Sequence, residues 1–378
     1  MKPLYITTPI YYVNAKPHIG HAYTTIVCDV FVRFHRMLGY DVKFSTGTDE
    51  HGKKIEQSAK YAGVQALKFV DDVSGLFKDL LPIINISNDD FIRTTEIRHK
   101  RTVDHFWKTL KNNGYIYIGE YSGWYDIQNE AYFAEDELVD GKSPLGGSVQ
   151  YMTEPCYFFK LSSFHDRLLK FYDENPNFVY PLQRMNEVTS FVKRGLQDLA
   201  ISRTTFNWGI RVPDDPEHIV YVWLDALTNY LTVNGYPDNE DQSNDKYWKN
   251  VIHFVGKEIV RFHAVYWPAF LMAAGISLPK QIVVHGWWMS EGAKMSKSLG
   301  NVQDPVRYCE LFGSDALRYF VLRELSFGND GNFSLKGFIN RYNSVLANSY
   351  GNLCSRVFSF IGKYCNGIVI RPDSTEQG

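Results

Sequence analysis

A chain of 378 residues with 44% hydrophobic and 22% charged residues is too long for one ordinary core and carries no low-complexity run, so a disordered or fibrous protein is excluded and two or three domains are expected. The formal net charge of −2 excludes a bulk polyanion binder: DNA is not an expected partner, and any RNA must meet a local basic face. The five cysteines form no CxxC pair, which argues against a zinc ribbon or disulfide framework and for a reducing, cytoplasmic setting. No apolar run reaches the roughly 18 residues that a membrane span needs.

Residues 4–12 are β-branched and aromatic enough for one buried strand, 14–17 have turn chemistry, and a helix is predicted from near Ile19. His18 and His21 then stand at the helix start, beside its unpaired N–H groups and the positive end of its dipole. Such a place suits a polyphosphate, although two such histidines can equally cap or pack. Gly20 has no Cβ, so a flat ring such as adenine could lie against the backbone there. Helical spacing over 26–38 ends at Gly39, and a second strand over 41–45 runs into GTDEHG at 47–52. Strand, helix, strand is the opening of a doubly wound parallel α/β sheet, whose ligands sit beyond the carboxyl ends of the strands. Asp49 stands at such an end, where a carboxylate can hold an ammonium group or a ribose, or merely cap the next helix.

Helices are predicted over 53–62, 66–81 and 100–113, with an extended segment before the last of them. From residue 115 to about 203 the pattern changes to short strands and turns, then two helical stretches at 164–174 and 184–196, as expected of an insertion. Alternation resumes with a helix over 220–235. There Trp223, Ala226, Leu227 and Tyr230 share one apolar face, which is ordinary core unless a partner face appears. A buried strand over 251–255 leads into a helix carrying Lys257, Glu258, His263 and Trp267; the last two are one turn apart and can look into one cavity. A strand over 281–285 gives way to GWWMSEGAKMSKSLG, a loop rich in small residues in which Lys294 and Lys297 could neutralise phosphate charge, with Asn301 and Asp304 capping the next helix.

Taken together, PHIGH at 17–21, GTDEHG at 47–52, VWLDA at 222–226, GKEIVRFH at 256–263 and KMSKS at 294–298 resemble the class I aminoacyl-tRNA synthetases, and among these the methionyl-tRNA synthetase family most closely. The likeness spans residues 5–356, with the motifs in family order and spacing. It implies a Rossmann-like doubly wound sheet at 1–114 and 216–290, split by a connective insertion at 115–215. A KMSKS loop with linking helices at 291–335 would follow, and then the start of a helical anticodon-binding bundle at 336–378. The implied activity is ATP-dependent activation of L-methionine, with Mg²⁺, and transfer of the aminoacyl group to tRNA(Met). His18, Gly20, His21, Glu258 and Lys297 would hold ATP, with Lys294 supporting Lys297. Ile10, Tyr12, Asp49, Trp223, Ala226, Tyr230, His263 and Trp267 would hold methionine, Asp49 pairing its ammonium and the aromatic faces its thioether.

The chain departs from the family at two places. Leu227 stands where many relatives have proline, and where relatives often hold a zinc knuckle this chain reads Asp126, Asn129, Ser143 and Gly146, too few ligands for tetrahedral zinc, so no structural metal is expected. Asn352 and Arg356 match anticodon-contacting positions one turn apart, or form a solvated helix face. Competing readings are another class I synthetase, a small nucleotidyltransferase, and a non-catalytic nucleic-acid-binding or regulatory module.

Overall fold

The computed structural model describes residues 1–369 except 127, 129, 130, 134, 145, 239–245 and 296–299. The chain opens with β1 (Pro3–Thr7), β2 (Tyr11–Tyr12), α1 (Ile19–Met37), β3 (Asp41–Asp49), α2 (Lys53–Tyr61), α3 (Ala66–Ile83), β4 (Asp90–Arg93) and α4 (Ile97–Asn112). β1 lies parallel to β3 on one side, Leu4 opposite Val42 and Ile6 opposite Phe44. Its other side pairs with β13 (Val251–Gly256), Ile6 opposite Ile252. The full order is β2-β3-β1-β13-β14-β8, with β4 beside β3, β14 spanning Gln281–His285 and β8 Val179–Tyr180. The order reverses at β1, so the crevice beyond the carboxyl ends of β1 and β13 is where a ligand is expected in such a sheet.

Alternate residues of the central strands feed opposite layers. Tyr5, Val251 and Val255 enter one apolar cluster, with α4 and the later helices, while Leu4, Ile6, Ile252 and Phe254 enter the other, beneath α1. The strand predicted over 4–12 is therefore two strands. Pro9 cannot donate to a ladder, and Thr7 pairs with Ser45 but Tyr11 with Thr48, so one extra residue is accommodated between them. β3 in turn runs through to Asp49, four residues past the predicted end, because β2 and β4 pair with the stretch expected to be loop. Gly47 there is forced by packing: a Cβ would sit 2.0 Å from the carbonyl oxygen of Ile92 on β4.

The middle of the chain forms a four-stranded antiparallel sheet, β6-β5-β7-β9, from β5 (Ile116–Asp126), β6 (Ala131–Phe133), β7 (Val149–Phe159) and β9 (Leu199–Ala200). Between β7 and β9, the helices α5 (His165–Glu174) and α6 (Leu182–Lys193) flank β8, which adds to the edge of the main sheet with Val179 opposite Ile282. At the turns where zinc ligands would stand, the Asp126 carboxylate instead accepts from the Ser143 hydroxyl and, at 2.8 Å, from the Gln128 amide. Asn129 lies outside the described residues, and the Gly146 amide donates to the Ser143 carbonyl at 2.8 Å. Three short strands, β10 (Ser202–Arg203), β11 (Arg211–Val212) and β12 (Asp215–Val220), lead to α7 (Val222–Val233).

After β13 the chain tightens into a 3-10 turn (Lys257–Ile259) and a π-helical turn (Phe262–Tyr266) before α8 (Trp267–Ala274). Beyond β14, a small sheet of β15 (Trp288–Ser290), β16 (Ala293–Lys294) and β17 (Gly331–Phe333) packs with α9 (Pro305–Phe312), α10 (Ser314–Arg323) and α11 (Leu335–Arg341). Of the two expected caps, Asp304 is the N-cap of α9, accepting from the Val306 amide; Asn301 lies three residues before it, ahead of the helix. The buried carboxylate of Asp29 on α1 ties this block to the sheet: it accepts from Arg318 on α10 at 2.6 Å, from Arg33 at 2.8 Å and from Ser87 at 2.7 Å. A π-helical segment (Tyr342–Gly351) and α12 (Asn352–Tyr364) follow, with Asn352 and Arg356 exposed one turn apart.

Candidate active site

His18 is the N-cap of α1, and His21 its third helical residue. The His18 ring accepts at Nδ1 from the Gly20 amide at 3.0 Å, while His21 accepts at Nδ1 from the His18 amide at 3.1 Å, a reciprocal capping box. A neutral ring that accepts at Nδ1 carries its proton on Nε2. Burial pushes the pKa of His18 down to about 4 and that of His21 well below the ordinary histidine range, the latter helped by the neighbouring imidazole. The pair, stacked at 3.9 Å between ring centres, thus consists of neutral N–H donors rather than cations. Capping and a ligand role are therefore compatible: one nitrogen of each ring serves the helix and the other is a donor. The His18 ring lies over Gly20, where a Cβ would come within 2.8 Å of it. Tyr11 and Phe77 hold His21 from the other side, 4.9 and 5.1 Å between ring centres.

A second set of side chains collects on the opposite layer, between α7, β13 and α8. Tyr230 meets Nε2 of His263 at 2.7 Å, and Nδ1 of the same ring reaches the Ile259 carbonyl at 3.0 Å. Burial lowers the His263 pKa to about 4 and raises that of Tyr230. Trp223 stacks on Phe262 with ring centres 3.7 Å apart, Trp267 stands 6.0 Å from Tyr230, and Ala226 is buried one turn before Tyr230. Ile10 packs against the large core that also holds Tyr230 and Trp267; Tyr12 packs against the smaller cluster of Tyr11, Val13 and Phe77 and pairs with Asp49 across β2–β3. Asp49 ends β3, 7% exposed, its carbonyl accepting from the Val13 amide at 3.2 Å.

Glu258 is the middle residue of the turn after β13. Its carboxylate folds back over Gly256 and accepts from the Trp287 indole at 2.5 Å; the Lys257 ammonium lies over that indole and pairs with Asp330 at 2.7 Å. Lys297 lies outside the described residues. Of Lys294 only the backbone is described, paired across β15–β16 with Met289. The residues that bracket that stretch are fixed beside the histidines: the Ile19 amide donates to the Gln303 carbonyl at 3.0 Å, and Gln303 donates to Ser290 at 2.8 Å. Among the described residues no group of three or more His, Cys, Asp or Glu is placed to hold a metal, and no helix is long and apolar enough to cross a membrane.

Several residues in or around the site were not assigned a role from the sequence. His253 sits on β13 with its Nδ1 2.8 Å from the Thr7 hydroxyl and its ring 4.1 Å from that of Tyr230. Asp225, between Leu224 and Ala226 of VWLDA, is fully buried between His51 and His99, 2.7 Å from each. Histidines in apolar strands and acids on apolar helices stand out, but nothing in the sequence pairs residues 174 positions apart.

A histidine-capped helix at the switch point of a parallel sheet, with Gln303 hydrogen-bonded to its first residue, is the arrangement of a nucleotide-activating synthetase domain. The family described as tRNA synthetases class I (M) matches residues 4–153 and 135–358, and the chain belongs to that family. It is 56% identical over 367 residues to a methionine–tRNA ligase of Rickettsia felis, covering 97% of this chain and 71% of that one. A methionine–tRNA ligase of Bacillus subtilis is 50% identical over 376 residues, with 96% and 57% covered. The Mycobacterium tuberculosis methionyl-tRNA synthetase in complex with methionyl-adenylate superposes with a TM-score of 0.95 at 48% identity, over 100% of this chain and 75% of that one. The free form of the same protein gives 0.84 at 44% identity, over 100% and 72%.

Proposed function

We propose that the chain is a methionine–tRNA ligase: it activates L-methionine with ATP to methionyl-adenylate and transfers the methionyl group to tRNA(Met). One observation carries the reading. Ile10 packs against the same apolar core that holds Tyr230 and Trp267, while its neighbour Tyr11 packs against His21, so in this reading one short segment runs between the amino-acid slot and the phosphate seat. In this reading Asp49 pairs the substrate ammonium, Tyr12 binds methionine from the position opposite Asp49 on β2, and Ile10, Trp223, Ala226, Tyr230, His263 and Trp267 surround the thioether. His18 and His21 donate from Nε2 to phosphate oxygens, Gly20 and Glu258 face the adenosine, and Lys297, supported by Lys294, balances charge as pyrophosphate leaves.

The chemistry needs no protein nucleophile. A carboxylate oxygen of methionine attacks the α-phosphorus, the bond to the β-phosphate oxygen breaks, and pyrophosphate departs with the electron pair; the protein orients the partners and stabilises the added charge. Mg²⁺ keeps its waters and binds chiefly through phosphates in such sites, so in this reading it enters with ATP rather than through a protein cage. The insertion at 115–215, an antiparallel sheet that also contributes β8 to the edge of the main sheet, stands between the two halves of the catalytic domain at 1–114 and 216–290. Residues 291–335 link it to the start of an anticodon-binding bundle at 336–378, whose Asn352 and Arg356 would meet exposed base edges. The working compartment is the cytoplasm.

Pyrophosphate exchange measured with each of the standard amino acids tests the assignment. Methionine is expected to stimulate exchange far above all others; equal stimulation by leucine or isoleucine would overturn it.

A further inference from the structure

We propose that Asp225, acting through His51, is a positioning residue that fixes the span between the carboxylate of Asp49 and the aromatic slot, and so sets the length of amino acid that the site accepts. The inference deepens the assignment to methionine and rests on it.

Asp225 lies in the first turn of α7, two residues after Trp223 and next to Ala226, so the helix that bears the slot on one face bears this carboxylate on another. Asp225 is fully buried, and its two oxygens are shared out: Oδ2 accepts from Nδ1 of His51 and Oδ1 from Nε2 of His99, both at 2.7 Å. Burial alone would raise its pKa, but the two imidazoles hold it at about 2, so the carboxylate is ionised throughout the physiological range. His51 is two residues beyond Asp49, at the end of β3, and is itself 3% exposed. The same strand end is clamped from outside, the Trp208 indole donating to the Glu50 carbonyl at 2.5 Å and the Gly52 amide to the Trp208 carbonyl at 3.0 Å. His99, on α4, also reaches the Thr232 hydroxyl at 2.9 Å, so it holds α7 at two points and prevents rotation of the helix about the Asp225 contact. The Asp225–His51 bond is thus a direct side-chain tie between the element that carries the ammonium partner and the element that carries the slot, and neither Asp225 nor His51 is among the side chains assigned to touch substrate.

A charged hydrogen bond in a buried site fixes geometry more strictly than apolar contacts do. Asp225→Asn removes the charge and offers one acceptor oxygen where two ring N–H groups donate, so it can keep only one of the two bonds. It is expected to raise the KM for methionine about tenfold or more while kcat and the KM for ATP stay within about threefold. It should also narrow the preference for methionine over its one-carbon-longer ethyl thioether analogue in pyrophosphate exchange. His51→Asn, whose amide nitrogen can take the place of Nδ1, should retain both properties, whereas His51→Leu should behave as Asp225→Asn does. The two His51 variants keep the test alive if Asp225→Asn does not fold. A purely structural role predicts a lowered Tm with kcat and both KM values changed alike, and that result, or unchanged methionine KM and analogue preference in His51→Leu, would overturn the proposal. Absence of methionine-dependent exchange in the unaltered protein would instead overturn the methionine assignment on which it rests.

Discussion

Tyr230 donates its hydroxyl proton to Nε2 of His263, because Nδ1 of that ring already donates to the Ile259 carbonyl and burial keeps the imidazole neutral. The direction of the bond is fixed by chemistry rather than by distance, since a neutral ring has one proton and the carbonyl can only accept it. Tyr230→Phe should therefore leave a buried ring nitrogen without a donor. The expected cost is about 1–3 kcal/mol of stability with a raised methionine KM, read from urea unfolding and pyrophosphate exchange. An unchanged midpoint would show that the nitrogen finds another donor.

The two jobs of His18 can be separated. Asparagine is a good N-cap and should preserve the start of α1, so His18→Asn should cost no more than about 0.5 kcal/mol, whereas His18→Ala should cost about 1 kcal/mol through the lost cap. Both lose the Nε2 donor, and both should lower adenylate formation by about 10²-fold, in line with removal of one donor from a developing anion. Single-turnover adenylate formation beside thermal unfolding distinguishes the two effects.

Acid should destabilise the protein well before its carboxylates titrate. His18 and His263 are neutral in the folded state down to about pH 4, while in the unfolded chain they protonate near the ordinary value of 6.5. Between these limits the unfolded state binds more protons, so stability falls as pH is lowered from about 6.5 to 4, by about 1.4 kcal/mol per pH unit for each fully titrating histidine. The stabilising contribution is present above pH 6.5. Equilibrium unfolding at a series of pH values checks this, and a flat profile between 4 and 6.5 would contradict the burial of these rings.

Removing the acid that joins the C-terminal block to α1 should be expensive. Asp29→Ala leaves Arg318, whose side chain is only 11% exposed, without its carboxylate; the loss is expected at about 3 kcal/mol or more. Methionine and ATP KM values should be little altered at a temperature where the variant remains folded. Combining calorimetry with steady-state exchange separates the two.

The chemistry of this chain is concentrated in short runs that a reader of the sequence can find, because a helix start, a strand end and a glycine-rich loop each leave local traces. The helix start at His18 and the strand end at Asp49 were legible as positions for that reason, whereas the stretch read as a loop around Lys294 holds β16, which pairs with β15. The extension of β3 was not legible: Thr46 to Asp49 look like loop until β2 and β4 supply ladder partners from elsewhere in the chain. β8 was invisible as a strand of the main sheet, being two residues long inside a region whose pattern reads as an insertion. His253 and Asp225 look like oddities in apolar elements. Their meaning lies in Thr7, His51 and His99, which no spacing rule connects to them.

Gly47 shows that a motif can mix two kinds of necessity. In GTDEHG the acid at 49 is a matter of substrate chemistry if the site takes methionine, but the first glycine answers to the Ile92 carbonyl that passes 2.0 Å from where a methyl would be. Any descendant of this scaffold that kept the same two neighbouring strands would have to retain that glycine, whatever reaction it had taken up or abandoned. A match at that letter therefore testifies to shared ancestry of architecture, and the identity of the substrate must be read from other positions.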